Sequence, residues 1–472
     1  MKKHRLHRVF HGTQIFKLLL LTTLFTITTI GWAQYTSSGY FVEEYTYRHD
    51  LNPAFANEKN YVSMPVLSNI NVSLTGNLDL QNILYNVDGK TTTFLNPGVS
   101  TSEFLSNISD KNKLFSNVKI DILSAGFKGF GGYNTIGISA RANVGVNIPG
   151  SLLRLAKQGP ANQTYDISDF KAHADAYFEL AFGHSHQINE QWRVGGKFKI
   201  LLGAANVDAD FDKASLTLGE DSWTAVTNAK VQASIKGLTY KTETKNRGAE
   251  GEKTAHTYVS DLDVDNTGIN GFGLAVDFGA EFKPNDTWTF SASLLDFGFI
   301  HWKNNMVAST NGEQTFDTDK YIFNVDEDAS NSFENEFDRF TEGLSTLYEL
   351  QDNGDEGGRT KMLGATLNLA AEYTLPAYNK LKFGLLNTTR IQGSYSWTDF
   401  RLSANVAPVK VFSAGINFGA GTCGCSLGWI ANFHTTGYNF FIGMDRTYLK
   451  LSKQGVPLKS NLSLNLGMNF LF

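Results

Sequence analysis

Cys423 and Cys425, held apart by one glycine, are the two cysteines of the chain, and a Cys-Gly-Cys step at a turn invites two chemistries. In an exported protein the pair is open to a strained disulfide closing the turn, or to two free thiols. A metal would need further ligands, and neither a CxxC pair nor a nearby histidine supplies them. His184 and His186 stand at i and i+2, which puts both on one face of a strand, where interfacial polar side chains account for them without a metal. Gly268-Ile269-Asn270-Gly271-Phe272-Gly273 carries the letters of a dinucleotide fingerprint, but it opens an alternating segment and not a helix. The chain has no P-loop and no H-E-x-x-H helix. No catalytic residue, metal or cofactor is assigned, and an enzyme is not expected.

The remaining candidates are charges that recur inside otherwise apolar alternation. From Asn270 to Phe282, Phe272, Leu274, Val276, Phe278, Ala280 and Phe282 fall on one face, and Asp277 and Glu281 fall on the other among glycines and alanine. Ile136 to Val146 alternates with a face holding Arg141, and Leu363 to Tyr373 with a face holding Asn368 and Glu372. Arg193, Lys197, Lys199 and Arg401 sit the same way. If such strands close into a barrel, these charges point into the lumen, either lining a path or pairing with one another as wall.

The composition favours that closure. The 472 residues include 35 Phe, 18 Tyr, 7 Trp and 44 Gly but only 9 Pro, and 18% are charged, against about 25% in ordinary soluble domains. Mean hydropathy is −0.22, which excludes a bundle of membrane helices, each needing about 20 apolar residues in a row. Residues 1–33 read as a secretory signal peptide: Lys2, Lys3, Arg5, Arg8 and Lys17 precede the apolar run from Leu18 to Ile30, and cleavage is expected after Ala33. Removing those five basic residues leaves 36 basic against 46 acidic, so a nucleic-acid partner is not expected. The net negative charge is local, since Glu313 to Glu356 holds 14 Asp or Glu against Lys320 and Arg339.

Segments of barrel-strand length fall near 69–78, 118–128, 134–147, 173–185, 192–204, 225–234, 270–283, 287–299, 362–375, 380–391, 397–406, 410–419, 426–434, 438–446 and 461–472. Fifteen candidates and a rule of even closure predict an all-β fold, a transmembrane antiparallel β-barrel of 14 or 16 strands. Parity reverses after Leu294 and after Ile122, which predicts a bulge in each of those strands. The last strand alternates Leu462, Leu464, Leu466, Met468, Phe470 and Phe472 with polar or small residues, resembling the assembly signal of bacterial outer-membrane barrels. Trp192, Trp288, Tyr373, Trp429 and Tyr438 suit interfacial girdles. Asn189-Glu190-Gln191, Pro284-Asn285-Asp286 and Ala377-Tyr378-Asn379 read as short periplasmic turns, which makes the acidic segment 306–358 an extracellular loop. Within it Phe333, Phe337, Phe340, Leu344 and Leu347 recur at helical spacing, with Asn331 as a cap, predicting an amphipathic helix at the barrel mouth that serves as a ligand or partner face or simply packs on its own loop.

Residues 34–66 lack sustained alternation and contain Arg48 to Ala56, "RHDLNPAFA". Asn52-Pro53-Ala54 near the mature N-terminus, ahead of a glycine-rich barrel, resembles the long-chain fatty acid transporter (FadL) family and the related type nine secretion barrel PorV. That resemblance implies a 14-stranded barrel over 67–472 in which Asn52, Pro53 and Ala54 belong to an N-terminal plug. "SNINVSLTGNLDLQNILY" (Ser68 to Tyr85), "TFLNP" (Thr93 to Pro97), "GGYNTIGISARANVGVNIP" (Gly131 to Pro149) and "FFIGMDR" (Phe440 to Arg446) look like an uncharacterised Bacteroidota outer-membrane family, which implies a fold and a location but no activity. The function expected is a passive outer-membrane conduit for small hydrophobic molecules. The competing expectations are an adaptor barrel that holds an exported protein, and a purely structural barrel. The partners expected are outer-membrane lipids, the barrel assembly machinery through the C-terminal strand, and one such small molecule or exported protein.

Overall fold

Fourteen antiparallel strands close into a ring. In the computed structural model, which describes residues 37–63, 68–79, 82–158, 163–218, 223–247, 253–310, 320–321, 333–347, 349–447 and 462–472, β1 is split into Tyr61–Ser63 and Asn69–Gly76. It is followed by β2 (Lys111–Gly129), β3 (Gly132–Pro149), β4 (Lys171–Gln187), β5 (Trp192–Leu218), β6 (Gly271–Phe282) and β7 (Trp288–Trp302). The second half comprises β8 (Ala365–Thr374), β9 (Leu381–Ile391), β10 (Trp397–Val409), β11 (Phe412–Gly421), β12 (Gly424–His434), β13 (Tyr438–Met444) and β14 (Leu462–Leu471). Each strand pairs with the next. The seam is β14 on β1, with Tyr61 opposite Leu471 and Ile70 opposite Leu466.

Burial is inverted relative to a water-soluble sandwich. Phe182, Phe198, Phe278, Phe297, Phe400, Leu402, Ile416 and Phe418 are exposed on the outside, while Asn71, Ser139, Lys199, Asp277, Asn417, Asn432 and Asn469 are buried inside. A charge on the outward face would cost about 2–4 kcal/mol at a bilayer midplane, and an apolar outward face closed without a free edge is what hydrocarbon demands. This is a transmembrane barrel. Inside, the amides of β11–β14 and β1 bond to one another across strands: Asn439 donates to Asn432 at 2.8 Å and Asn465 to Asn69 at 2.9 Å.

Both expected bulges are present. Asp121 faces Ser139 while Leu123 faces Ile138, leaving Ile122 extra; Val276 faces Phe297 while Phe278 faces Leu294, leaving Leu295 and Asp296 opposite Asp277. Asp296 takes a positive φ of 57° there, a conformation that a non-glycine residue adopts at some cost. One rim of the ring carries short turns. Phe130 and Gly131 form a two-residue turn with φ of 54° and 76°, the left-handed pair that matches strand twist. Two further turns share one device: the Asn189 side chain accepts from the Gln191 and Trp192 N–H groups, and Asn285 does the same for Thr287 and Trp288. The tryptophan each turn launches stacks at that rim, Trp192 on Phe282 at 4.5 Å and Trp288 beside Tyr373 at 5.1 Å.

The opposite rim carries the long connections. Trp223–Ile235, the segment counted near 225–234, is a strand but not a wall strand. It pairs with the far half of β5, Ala205–Leu218, and with Met306–Ser309, which pairs in turn with Gln351–Asp355, so together they project beyond the ring. Alternation looks the same in any half-buried ribbon, which is why counting gave fifteen. Beside this projection stand the hairpin Leu238–Arg247/Thr254–Val264 and a helix at Phe333–Leu344, tied by Arg247 to Glu349 at 2.9 Å and to Glu342 at 3.5 Å. The helix forms where the spacing predicted it. Phe340 packs edge-on against Tyr321 at 5.5 Å, whereas Asn331 and the side chains of Phe333, Phe337, Leu344 and Leu347 lie outside the described residues, as does the signal peptide.

Candidate functional site

The N-terminal segment Ser37–Ala56 touches strands on every side of the ring, which only a segment inside the ring can do. Asp445, beyond the end of β13, accepts from the Ser37 and Ser38 N–H groups at 2.8 and 2.7 Å. Tyr40 bonds Ser291 on β7, Asn432 on β12 donates to Glu44 O, and Tyr45 donates to Asn465 on β14. Lys382 on β9 bridges Glu43 at 2.7 Å and Glu372 of β8 at 3.2 Å. Tyr40, Tyr45 and Tyr47 are fully buried against Phe441 and Tyr61. An aromatic core of this kind sits inside a polar lumen because tyrosines offer apolar rings and hydroxyls that reach wall amides.

Asn52 is the pin. Its amide donates to Ala280 O and Ala292 O, both at 3.2 Å, so it holds two neighbouring strands, and its Oδ1 accepts the Ala54 N–H at 2.9 Å. Asn368 of β8 and Ser293 of β7 both donate to Leu51 O, and Ser185 of β4 donates to Ala54 O. Pro53 removes a backbone donor that this packing would leave unmet. The wall opposite is Gly195 on β5 and Gly279 on β6, paired across the ladder. A Cβ on Gly279 would collide with Asn52 Oδ1, and one on Gly195 with Pro53 O. Two side-chain-free positions side by side let the backbone of Asn52-Pro53-Ala54 lie against the sheet.

Charge completes the seat. Asp50 is buried and accepts from Lys119 of β2 and Lys197 of β5, each at 2.5 Å; Lys119 also meets Asp121 at 3.1 Å. His49 Nδ1 lies 3.0 Å from Lys197 Nζ and its Nε2 2.8 Å from the Tyr61 hydroxyl. Nδ1 also lies 3.2 Å from Asp50 Oδ1; an ammonium only donates, so where Nδ1 meets Lys197 it accepts, and in that tautomer Nε2 carries the proton toward Tyr61. Burial first, and Lys197 second, push His49 down to about 4. The histidine is therefore neutral when seated. Its contribution is complete above about pH 6.5 and is lost as pH falls toward 4, because the unseated histidine takes up the proton first. Hydrogen exchange of amides 46–56 should accelerate across that window, by up to about 3 kcal/mol of local stability. His49→Gln should flatten the profile, and an unchanged slope in that variant would dismiss the assignment.

Of the other expected lumen charges, Arg141 meets Glu179 at 3.0 Å and Asp296 at 3.1 Å, and Lys199 meets Asp277 and Asp296 at 2.7 Å each. Asp296, the bulge residue, also faces Arg390 at 3.6 Å and donates its N–H to Asp277. Arg401 meets Asp399 at 2.7 Å. Glu281 is buried near the turn rim beside Lys283, and Arg193 bonds Gln187 at that rim, away from the others. These charges pair across the wall. Asp296, Lys119, Asp50 and Arg390 complete the set and escape sequence reading, although the parity reversal beside Asp296 marks its place. His184 bonds Asn134, and no cluster able to hold a metal occurs among the described residues. Of the two alternatives for the Cys-Gly-Cys step, the structure has two thiols and no disulfide between them: Cys423 is buried in the turn, while Cys425 is exposed on the strand face opposite the inward Ser426. Phe470 and Phe472 point outward, and Phe472 exchanges both backbone bonds with Asn60.

Beyond Leu51, toward the long-loop rim, lies a cavity of about 50 Å³ whose lining includes Asn117, Lys119, Arg141, Asn143, Asn368, Arg390 and Trp397. A smaller space of about 10 Å³ shares Asn117, Asn143, Arg390 and Trp397 with it and continues to His173 and Tyr395. Its far end is closed by the β9–β10 connection, which leans across to the opposite side of the ring. Lys113 of β2 donates to Ser394 O at 3.0 Å, and the Tyr395 ring meets Phe115 of β2 at 6.1 Å and His173 of β4 at 5.9 Å. Gly393 takes a φ of 57° to make that turn. The cavities thus lie between Leu51 on one side and Tyr395 on the other.

Residues 53–445 match the model of a family of unknown function, DUF5723. No curated protein matches the chain. Among solved structures, the toluene transporter TodX of Pseudomonas putida is 8% identical, over 89% of this chain and 91% of its own, with a TM-score of 0.37. A FadL homologue of Pseudomonas aeruginosa is 10% identical, over 93% and 97%, with a TM-score of 0.34. Likenesses of this size leave the architecture and the lumen to the pairings and contacts described above.

Proposed function

We propose that this chain, which belongs to the DUF5723 family of unknown function, is an integral outer-membrane barrel acting as an occluded conduit for small molecules, with Ser37–Ala56 as its plug. The observation that carries the reading is the stack along one axis: a segment bonded to strands around the whole ring, then a cavity, then a strap. The seat of the segment is built from features that a merely structural filler does not need, namely the paired glycines under Asn52-Pro53-Ala54 and a carboxylate offered to two wall lysines. The passenger follows from the lining. Beside Leu51, Val118, Leu295 and Trp397, the larger cavity is lined by three cations, amides and hydroxyls, and those charges favour a small polar solute over the apolar one the FadL resemblance implies.

Conduction tests it. The barrel without residues 37–57, once its heat-modifiable migration confirms closure, should give steady currents in planar bilayers that the intact chain does not. Equal conductance of the two would end the reading. The adaptor reading draws on the projection formed by Trp223–Ile235, the Leu238–Arg247 hairpin and the Phe333–Leu344 helix, which stands clear of the ring and is cross-linked by Arg247. It predicts that trimming this projection abolishes capture of an exported protein and leaves the plug-deleted currents unchanged.

A further inference from the structure

We infer that the lumen cavity is a binding site for one compact oxyanion, of the size of sulfate, phosphate or acetate. The inference builds on the reading of the lumen as an occluded passage and names what that passage accepts.

Lys119, Arg141 and Arg390 line the larger cavity together with Asn117, Thr366, Asn368, Thr388 and Trp397, and no carboxylate is among its lining residues; the smaller space adds His173, Gln392 and Tyr395, again without a carboxylate. The acids that balance these cations stand behind them: Asp296 and Glu179 for Arg141, Asp50 and Asp121 for Lys119. Leu51, Val118, Leu295 and the Trp397 ring supply the apolar part of the lining, and the polar part presented to the cavity is cationic and rich in donors. Charges and dipoles fixed in this way in a low-dielectric space act on what enters it, without reorganising.

Arg390 is the member with capacity to spare. Its Nε donates to Gln392 at 3.4 Å, its Nη1 donates to Thr366 at 3.1 Å, and its nearest carboxylate is 3.6 Å away. Nη2 has no acceptor among the described residues, although the side chain is only 12% exposed. A buried guanidinium with an unused edge is suited to a planar or tetrahedral oxyanion, which accepts two parallel N–H bonds. The Asn117 amide and the Trp397 indole N–H likewise make no side-chain bond within the described residues. These groups are donors without acceptors, and an oxyanion supplies acceptors without donors.

Volume sets the size limit. A water needs about 10–15 Å³ by this measure, so 50 Å³ holds roughly four waters, or one small anion with its residual hydration. A long acyl chain does not fit between Leu51 and Trp397 unless the plug or the strap moves.

The test is equilibrium dialysis of the full-length barrel in mild detergent against radiolabelled sulfate, at ionic strength held constant with chloride, with acetate as competitor. One saturable site displaced by acetate is expected. Arg390→Gln should weaken it roughly tenfold or more, the value of a charged hydrogen bond, and Arg390→Lys should recover part of the loss. Arg193→Gln, at the far rim, should leave binding unchanged. Absence of saturable binding, or binding indifferent to Arg390→Gln in a barrel that still migrates as folded, overturns the inference. Failure of the two readings is separable: binding by the full-length barrel, with no current gained on removing residues 37–57, keeps the site and removes the passage, and a pore opened by that removal with no binding by the full-length barrel does the reverse.

Discussion

Asp50→Ala should open the barrel. The carboxylate lies between Lys119 and Lys197 at 2.5 Å from each ammonium, and its loss leaves two buried cations facing an alanine. Lys119 retains Asp121 at 3.1 Å, but Lys197 keeps only the neutral His49. Breaking a buried pair by removing one partner costs about 3–5 kcal/mol, which is roughly two to four powers of ten in the ratio of seated to unseated segment. The wall itself does not depend on Asp50, so the ring should survive. The expected results are fast hydrogen exchange across residues 46–56, unaltered strand protection, and ohmic currents with a preference for anions, since Lys119 and Lys197 then face the channel. Adding Lys197→Met should restore much of the seating. Wild-type exchange and silence in bilayers from Asp50→Ala would remove the charge seat from the account.

Gly279→Ala and Gly195→Ala should have the same consequence through shape alone. Each new methyl would enter the space of backbone or of Asn52, which no rotamer change relieves. Overpacking of that kind costs typically 1–3 kcal/mol, and lifting Asn52 off β6 and β7 also loses its bonds to Ala280 O and Ala292 O. Gly196 is the internal control. A methyl there meets only Asp277 O at 3.6 Å, an ordinary contact, so Gly196→Ala should leave thermal stability and conductance unchanged. If all three glycines respond alike, strand propensity and not the plug seat explains them.

The barrel was legible because its inversion is written at every second residue: Phe272 to Phe282 outward and Asp277 and Glu281 inward are one pattern. Parity also exposed the bulges, since skipping one residue moves everything after it to the other face. What parity did not disclose was where Leu295 and Asp296 go, and Asp296 turned out to be the residue on which Arg141, Lys199 and Arg390 converge. The seat of residues 50–54 was legible only as the tripeptide Asn52-Pro53-Ala54. Its chemistry joins Asp50 to lysines 69 and 147 positions away, and no local pattern ties a carboxylate to partners on two different strands. The choice between a disulfide and two thiols stayed open for a related reason, because spacing records proximity in the chain but not the direction in which Cys423 and Cys425 leave the turn.

The seam between β1 and β14 bears on how such a molecule is made. Tyr61 meets Leu471 and Asn60 meets Phe472, so the first and last wall strands must find each other across nearly the whole chain. Such long-range closure is slow, because the loop entropy is lost before the contacts form. The segment that enters the lumen precedes β1 in the chain, yet Asp445, Asn465 and Asn439, which it binds, stand close to the other end. Its seat does not exist until the ring is shut. Threading must therefore come late, through the mouth or with the closing seam, and until then Tyr40, Tyr45 and Tyr47 need shelter from water and from each other's copies. The order of assembly, as much as the final contacts, then decides whether those rings reach the lumen or meet one another first.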